Sequence, residues 1–77
     1  MGLAVVPDAF AGIPKQEGDR LKRKVEWLWD NRKAVTHFPL SENLAGFYKR
    51  RVGKYRLIYT YESNPDDMTI HLAGLRD

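Results

Sequence analysis

Basic residues crowd one short stretch of this 77-residue chain, where five of the eight positions from Lys49 to Arg56 are lysine or arginine. Guanidinium groups carry forked donors that match phosphate oxygens, so such a cluster predicts phosphate binding. A simpler alternative is that these charges only solvate an exposed strand edge and keep the protein soluble. The formal net charge of only +3 hides this local asymmetry. Phosphate binding is the stronger interpretation.

The residues around this basic cluster predict a β-hairpin. Positions 47–61 are rich in tyrosine, valine, leucine and isoleucine, and Gly53 interrupts them near the middle. If Gly53 and Lys54 are the central residues of a type II′ turn, Arg51 lies opposite Arg56. Side chains alternate between the two faces of a sheet. The basic residues that then share one face are Lys49, Arg51 and Arg56.

This face favours a particular phosphate chemistry, and Arg50 is excluded from it because it points to the other side. Two arginines directly opposite each other repel by up to about 1 kcal/mol, and a bound anion would relieve that repulsion. The carboxylates are scattered along the chain, so metal-dependent hydrolysis is not expected. A metal-free route requires RNA, whose 2′-hydroxyl is an internal nucleophile, while the protein supplies a base, an acid and cationic stabilisation. We therefore expect no cofactor.

The N-terminal half is predicted to supply one strand and two helical segments. The apolar run Leu3 to Val6 suits a strand. Asp8 is an N-cap type residue ahead of one or two helical turns, which Gly12 and Pro14 stop. The main helix is predicted from Lys15 to about Arg32, because its apolar residues recur on one face of a 3.6-residue period. These residues are Leu21, Val25, Leu28 and Trp29.

The C-terminal half is predicted to hold a loop, the hairpin and a last strand. Residues 33–46 are expected to form a loop with His37 on its surface, attached to the core by Phe38, Leu40 and Leu44. After a turn at 62–67, the segment Met68 to Ala73 alternates again and predicts a strand. Arg76 follows Gly74 at or just beyond the end of this strand, where it can turn toward the cationic face. The residues expected on one side of the strand are Met68, Ile70 and Leu72.

Composition limits the remaining possibilities. The length suits a single domain, residues 1–77, with one modest core. The chain has no cysteine, which excludes disulfides and thiolate metal sites, and its two histidines are too few for a metal site by themselves. No apolar run approaches the roughly 20 residues that cross a bilayer, and no signal peptide is visible. We therefore expect a cytoplasmic protein without membrane contact.

One segment resembles a known family. Residues 44–59, Leu-Ala-Gly-Phe-Tyr-Lys-Arg-Arg-Val-Gly-Lys-Tyr-Arg-Leu-Ile-Tyr, are similar to the signature of the RelE/ParE toxin superfamily. That signature places a leucine and a glycine before a basic-x-basic strand, then Val-Gly, a polar residue, Tyr-Arg, two aliphatics and a tyrosine. Ile70 to Arg76 resembles the last strand and the terminal Gly-His-Arg type element, with Leu75 where histidine is frequent. The resemblance implies an α/β (α+β) fold, in which an N-terminal strand and two helical segments pack on a mainly antiparallel four-stranded sheet.

The resemblance also implies an activity and partners. In the ribonuclease branch of the superfamily, mRNA is cut in the ribosomal A site, and a cognate antitoxin neutralises the toxin. The implied partners are therefore an antitoxin, the ribosome and mRNA, with operator DNA reached only through the antitoxin complex. Lys49 corresponds to a base or phosphate ligand, and three arginines would hold and neutralise the phosphate. By motif position these arginines are Arg51, Arg56 and Arg76.

The general acid is the part of this assignment that stays open. A tyrosine near the C-terminus often has that role in the ribonuclease branch, and this sequence stops at Asp77 without one. If Asp77 is the true end of the protein, Tyr55 or His71 would have to replace it, or catalysis is impaired. Two further alternatives are a ParE-like poison of DNA gyrase with no nuclease activity, and a degenerate domain that only binds its antitoxin or the operator complex.

Overall fold

Five strands and one helix make up the part of the chain that the computed structural model describes, residues 2–41 and 46–75. In chain order they are β1 (Gly2–Val5), α1 (Lys15–Asp30), β2 (Phe38–Pro39), β3 (Phe47–Val52), β4 (Tyr55–Ser63) and β5 (Asp66–Leu75). They form one sheet in the order β1-β5-β4-β3-β2, with β1 and β5 parallel and the other pairs antiparallel. The α+β class and the mainly antiparallel sheet are confirmed, whereas the four-strand prediction omits β2.

The β3–β4 hairpin has the predicted register. Gly53 adopts a positive φ of 58°, and Lys54 does not, as a type II′ turn requires. Arg51 consequently pairs with Arg56, and the pairing continues residue by residue along both strands. The other predicted pairs that are confirmed are Val52 with Tyr55, Arg50 with Leu57, Lys49 with Ile58, and Tyr48 with Tyr59.

The core lies between α1 and one face of the sheet. The predicted apolar side of the helix is confirmed, since Leu21, Val25 and Leu28 are at most 2% exposed and Trp29 packs against them. The helix ends at Asp30, two residues earlier than predicted. No helix in the described part of the chain is long and apolar enough to span a membrane. The sheet residues that complete the core are Tyr55, Leu57, Tyr59, Met68, Ile70 and Ala73.

The first predicted helical segment is wrong. Residues 7–12 form consecutive turns, in which the amides of Ala9 and Ala11 donate to carbonyls three residues earlier. Too few residues remain before Gly12, which has a φ of 81°, to offset the cost of nucleating a helix. The segment is instead held to the sheet, because Ala9 is buried and its carbonyl accepts a hydrogen bond from the Ala73 amide at 2.9 Å.

The predicted loop at 33–46 contains the edge strand β2, and Phe38 is not a core residue. Phe38 pairs with Lys49 of β3 and is 53% exposed. The amide of Leu40 donates to the Phe47 carbonyl at 2.9 Å, which extends the pairing past Pro39. Leu40 is half-buried. The third predicted anchor, Leu44, lies outside the described residues.

The last strand, β5, is longer than predicted and changes phase at His71. Tyr59 pairs with Ile70, but its neighbour Ile58 pairs with Leu72, so His71 is an extra residue in the ladder. Met68 and Ile70 lie on one side of the strand as predicted, and both are buried, whereas Leu72 is 49% exposed because the extra residue turns it to the opposite face. Ala73 takes the core position instead.

The turn after α1 is fastened to β5 by an ion pair. Arg32 Nε donates to Asp66 Oδ1 at 2.8 Å, and the second guanidinium arm contacts Oδ2. The Arg32 guanidinium also stacks 3.6 Å from the ring centroid of Trp29. Mainly through the Arg32 hydrogen bonds, the pKa of the Asp66 carboxyl is lowered from 3.8 to about 2. The hydroxyl of Tyr61 donates to the same carboxylate at 3.2 Å.

We expect Leu28→Ala to lower the free energy of unfolding by about 2–5 kcal/mol, because it removes a fully buried side chain and leaves a cavity. The matched control is Leu72→Ala, the same change on an exposed side chain, with an expected loss of less than about 1 kcal/mol. Urea denaturation followed by tryptophan fluorescence measures both. Equal losses in the two variants would contradict the position of the core.

The contribution of the Arg32–Asp66 ion pair to stability should depend on pH in the acid range. The pKa of Asp66 is lower in the folded chain than its ordinary value. Its contribution to the free energy of unfolding is therefore complete above about pH 4 and is lost as the pH falls toward 2. We expect Asp66→Asn to be less stable than wild type at pH 7 and to lose less stability between about pH 4 and 2. Asp19→Asn, on an exposed part of α1, is the control and should follow wild type in thermal denaturation. An Asp66→Asn variant with the acid profile of wild type would contradict the assignment.

Candidate nucleic-acid interface

The two faces of the sheet differ sharply, because α1 covers one of them. Along β4, Tyr55 and Leu57 are buried under the helix, so Arg56 between them points to the other side. No helix lies on that side in the described part of the chain, and we call it the open face. Arg76 lies outside the described residues and keeps its place as a prediction. The other three predicted site residues are together on the open face: Lys49, Arg51 and Arg56.

These three cations surround one cleft. It has a volume of about 340 Å³ and is lined by Phe38, Lys49, Arg50, Arg51 and Arg56. Among the residues that the structure describes, none of Lys49, Arg51 and Arg56 forms an ion pair with a carboxylate. Their charges are uncompensated by those residues, so an anion with several oxygen acceptors, such as a phosphate, is the ligand that the cleft favours.

The guanidinium of Arg50 is used on the helix side of the sheet. Its Nη2 donates to the Thr36 carbonyl at 2.7 Å, and the group lies 5.9 Å from the ring centroid of Trp27. This bond joins β3 to the segment that leads into β2. Arg50 therefore supports the wall of the cleft. Its guanidinium lies on the side of the sheet opposite the three cations, as predicted.

Lys54 and Tyr55 fasten the hairpin turn to the start of α1. Lys54 Nζ lies 3.0 Å from a carboxylate oxygen of Glu17, and the Tyr55 hydroxyl donates to the other oxygen. The Tyr55 hydrogen bond is the main cause that lowers the pKa of Glu17, and the same bond raises the pKa of Tyr55. The phenol is thus committed to a carboxylate on the helix side. Tyr55 is not placed to be the general acid of the cationic face.

His71, the other candidate acid, lies on the open face. Its Nε2 is 3.1 Å from the Thr60 hydroxyl, and its ring packs 5.3 Å from that of Phe47. Thr60 and Phe47 are partners in the β3–β4 pairing, and Thr60 follows the fully buried Tyr59, so both point to the open face. Because His71 is the extra residue of β5, its side chain shares this face with the cations. Of the two candidate acids, His71 lies on the open face and the hydroxyl of Tyr55 lies on the helix side.

His37 is half-buried, so its predicted place on the loop surface is wrong. Its Nε2 donates to the Arg32 carbonyl at 2.8 Å, and its Nδ1 is hydrogen-bonded to the Tyr59 hydroxyl at 2.6 Å. The ring also packs against Tyr48 and Tyr61, with centroids 5.5 Å and 4.9 Å away. Burial raises the pKa of Tyr59. His37 thus secures the chain immediately before Phe38.

Sequence reasoning missed Phe38 as a residue of the cleft. Its assignment to the core rests on its apolar character, and a two-residue strand is too short to show a period. The one local signal is the proline that follows it, since proline inside a sheet is found on edge strands. Phe38 and Lys49 lie directly opposite each other in the β2–β3 pairing.

No protein-family model matches the chain, and no curated protein matches it. Among solved structures, the isolated RelE toxin of E. coli superposes with a TM-score of 0.74 at 15% identity, covering 99% of this chain and 84% of that chain. A mutant of E. coli RelE in complex with an antitoxin RelBc peptide gives 0.71 at 15% identity, covering 99% and 83%. The intact E. coli RelBE toxin-antitoxin complex gives 0.70 at 16% identity, covering 99% and 96%. The chain therefore has the fold of the RelE toxin.

Proposed function

We propose that this chain is the toxin of a type II toxin-antitoxin pair, and that it cleaves mRNA in the ribosomal A site as a ribosome-dependent endoribonuclease. The observation that carries the proposal is the cleft on the open face, where Lys49, Arg51 and Arg56 converge without carboxylate partners among the described residues. The RelE fold supports it, and the sequence resemblance independently implies that these positions hold the phosphate. The protein would act in the cytoplasm.

The chemistry requires no metal. A base removes the proton of the 2′-hydroxyl, the 2′-oxygen attacks phosphorus, and the bond to the 5′-oxygen breaks as that oxygen accepts a proton. The products are a 2′,3′-cyclic phosphate and a 5′-hydroxyl. Arg51 and Arg56 neutralise the charge that grows on the phosphate, and Lys49 serves as base or phosphate ligand. Arg76 joins them because of its position in the sequence motif alone.

His71 is the proton donor in this proposal. It lies on the same face as the cations, whereas the phenol of Tyr55 is held by Glu17 on the helix side. Histidine is the side chain that most often transfers a proton in general acid–base catalysis. An imidazole on the open face would thus protonate the departing 5′-oxygen.

The partners follow from the same proposal. Two of the similar structures hold E. coli RelE with its antitoxin, as a peptide complex and as the intact RelBE complex. A cognate antitoxin is accordingly the first partner that we propose for this chain, and the ribosome with its mRNA is the second. Operator DNA would be contacted only through the antitoxin complex.

Arg56→Ala should reduce cleavage about 100-fold or more, because it removes a charge that stabilises the transition state. After expression of the protein is induced, primer extension on ribosome-bound mRNA measures the cuts. Wild type should produce cuts at fixed codon positions. Lys54→Ala is the matched control, since this basic residue of the same hairpin is paired with Glu17 outside the cleft. Intact mRNA together with accumulating gyrase-cleaved DNA would overturn the ribonuclease proposal in favour of gyrase poisoning.

His71→Asn should slow cleavage and change its pH dependence. A general acid loses activity as it deprotonates, so the wild-type rate should fall on the alkaline side, and this fall should disappear in the variant. Tyr55→Phe should keep the wild-type pH profile, because its hydroxyl lies on the helix side. Single-turnover cleavage on programmed ribosomes at a series of pH values gives both profiles. An unchanged alkaline limb in His71→Asn would exclude His71 as the acid.

A further inference from the structure

Phe38 is an exposed aromatic side chain in the wall of a cationic cleft. It is 53% exposed, lines the cleft with Lys49, Arg51 and Arg56, and lies directly across the strand pair from Lys49. It contributes nothing to the core cluster of the described residues. An apolar ring in this place, between water and three positive charges, is unexplained by folding.

The backbone around Phe38 is held in place on both sides. Before it, the ring of His37 is bonded to the Tyr59 hydroxyl and to the Arg32 carbonyl. After it, Pro39 has a restricted φ, and the amide of Leu40 donates to β3 at 2.9 Å. The phenyl ring is consequently presented on a fixed segment, which lowers the entropy lost when a ligand packs on it.

The ligand that matches an aromatic ring beside phosphate-binding cations is a single nucleic acid strand. Each nucleotide joins a phosphate to a flat base, and proteins bind single strands by stacking bases on aromatic side chains within a positively charged groove. A duplex is a poorer match, because its bases are stacked on each other and are not free to pack on the ring. An acidic peptide has the charge and lacks the row of planar groups.

We infer that Phe38 stacks on a base of the RNA strand next to the phosphate held by Lys49, Arg51 and Arg56. The inference rests on the proposed function and adds a residue that positions the substrate. Every base has a flat face, so stacking holds the strand in register without selecting a particular base. The hydrogen bonds that would read the identity of the base must come from elsewhere.

The test compares two ligands that differ only in their bases. The probes are a short 2′-O-methyl oligoribonucleotide, which resists cleavage, and an abasic strand with the same number of phosphates, and fluorescence anisotropy at low salt gives both dissociation constants. Wild type should bind the base-bearing strand about 5- to 100-fold more tightly. Phe38→Ala should bind both strands alike, and Phe38→Trp should restore the preference.

Two controls separate stacking from charge. Leu72→Ala changes an equally exposed apolar residue of the open face that does not line the cleft, and it should keep the wild-type preference. Arg56→Ala should weaken binding of both strands by the same factor, because it removes a phosphate contact. Urea midpoints of all variants show that each remains folded.

The outcomes distinguish this inference from the proposed function. Stacking is overturned if wild type binds the two strands equally, if it binds neither, or if Phe38→Ala retains the preference. In each of these cases, codon-position cuts that depend on Arg56 would leave the ribonuclease proposal standing. Absence of such cuts from ribosome-bound mRNA would remove the proposed function itself.

Discussion

The helix α1 covers one face of the sheet only, and the distribution of charge follows from this arrangement. Alternate residues of β4 from Tyr55 to Tyr59 are buried beneath the helix, so the residues between them must point the other way. An arginine without a partner cannot be placed in the core, because a buried charge loses its hydration with no compensation. The facing pair Arg51 and Arg56 therefore has to lie on the open face. The apolar residues thus decide where the cations gather.

The hairpin that carries Lys49, Arg51 and Arg56 is attached to the rest of the fold at both ends. Other side chains make these attachments. At the turn, Glu17 binds Lys54 and Tyr55, and at the other edge Arg50 bonds to the Thr36 carbonyl. The site cations keep their own donors for a ligand, because none of these fastenings uses them. Sites built on strands and supported in this way are held more rigidly than sites on loops.

The predictable parts of the fold are those that depend on local pattern. The register of β3 and β4 follows from one glycine turn and the two-residue alternation, and the buried side of α1 follows from its helical period. Leu72 could not be predicted, because the extra residue at His71 is visible only in the pairing with β4. The exposed position of Phe38 could not be predicted, because β2 has only two residues and shows no alternation. Both failures concern the open face, where burial imposes no pattern on the sequence.

The proline of β2 has a consequence for how copies of the chain meet one another. Leu40 donates its amide inward to β3, so the backbone of Pro39, one residue earlier, is turned outward at the free edge. Proline has no N–H there to offer to another strand. Docking of a second sheet along this edge is disfavoured, which protects the chain against edge-to-edge aggregation there. Pro39, which ends β2, thereby disfavours the addition of a further strand at this edge of the sheet.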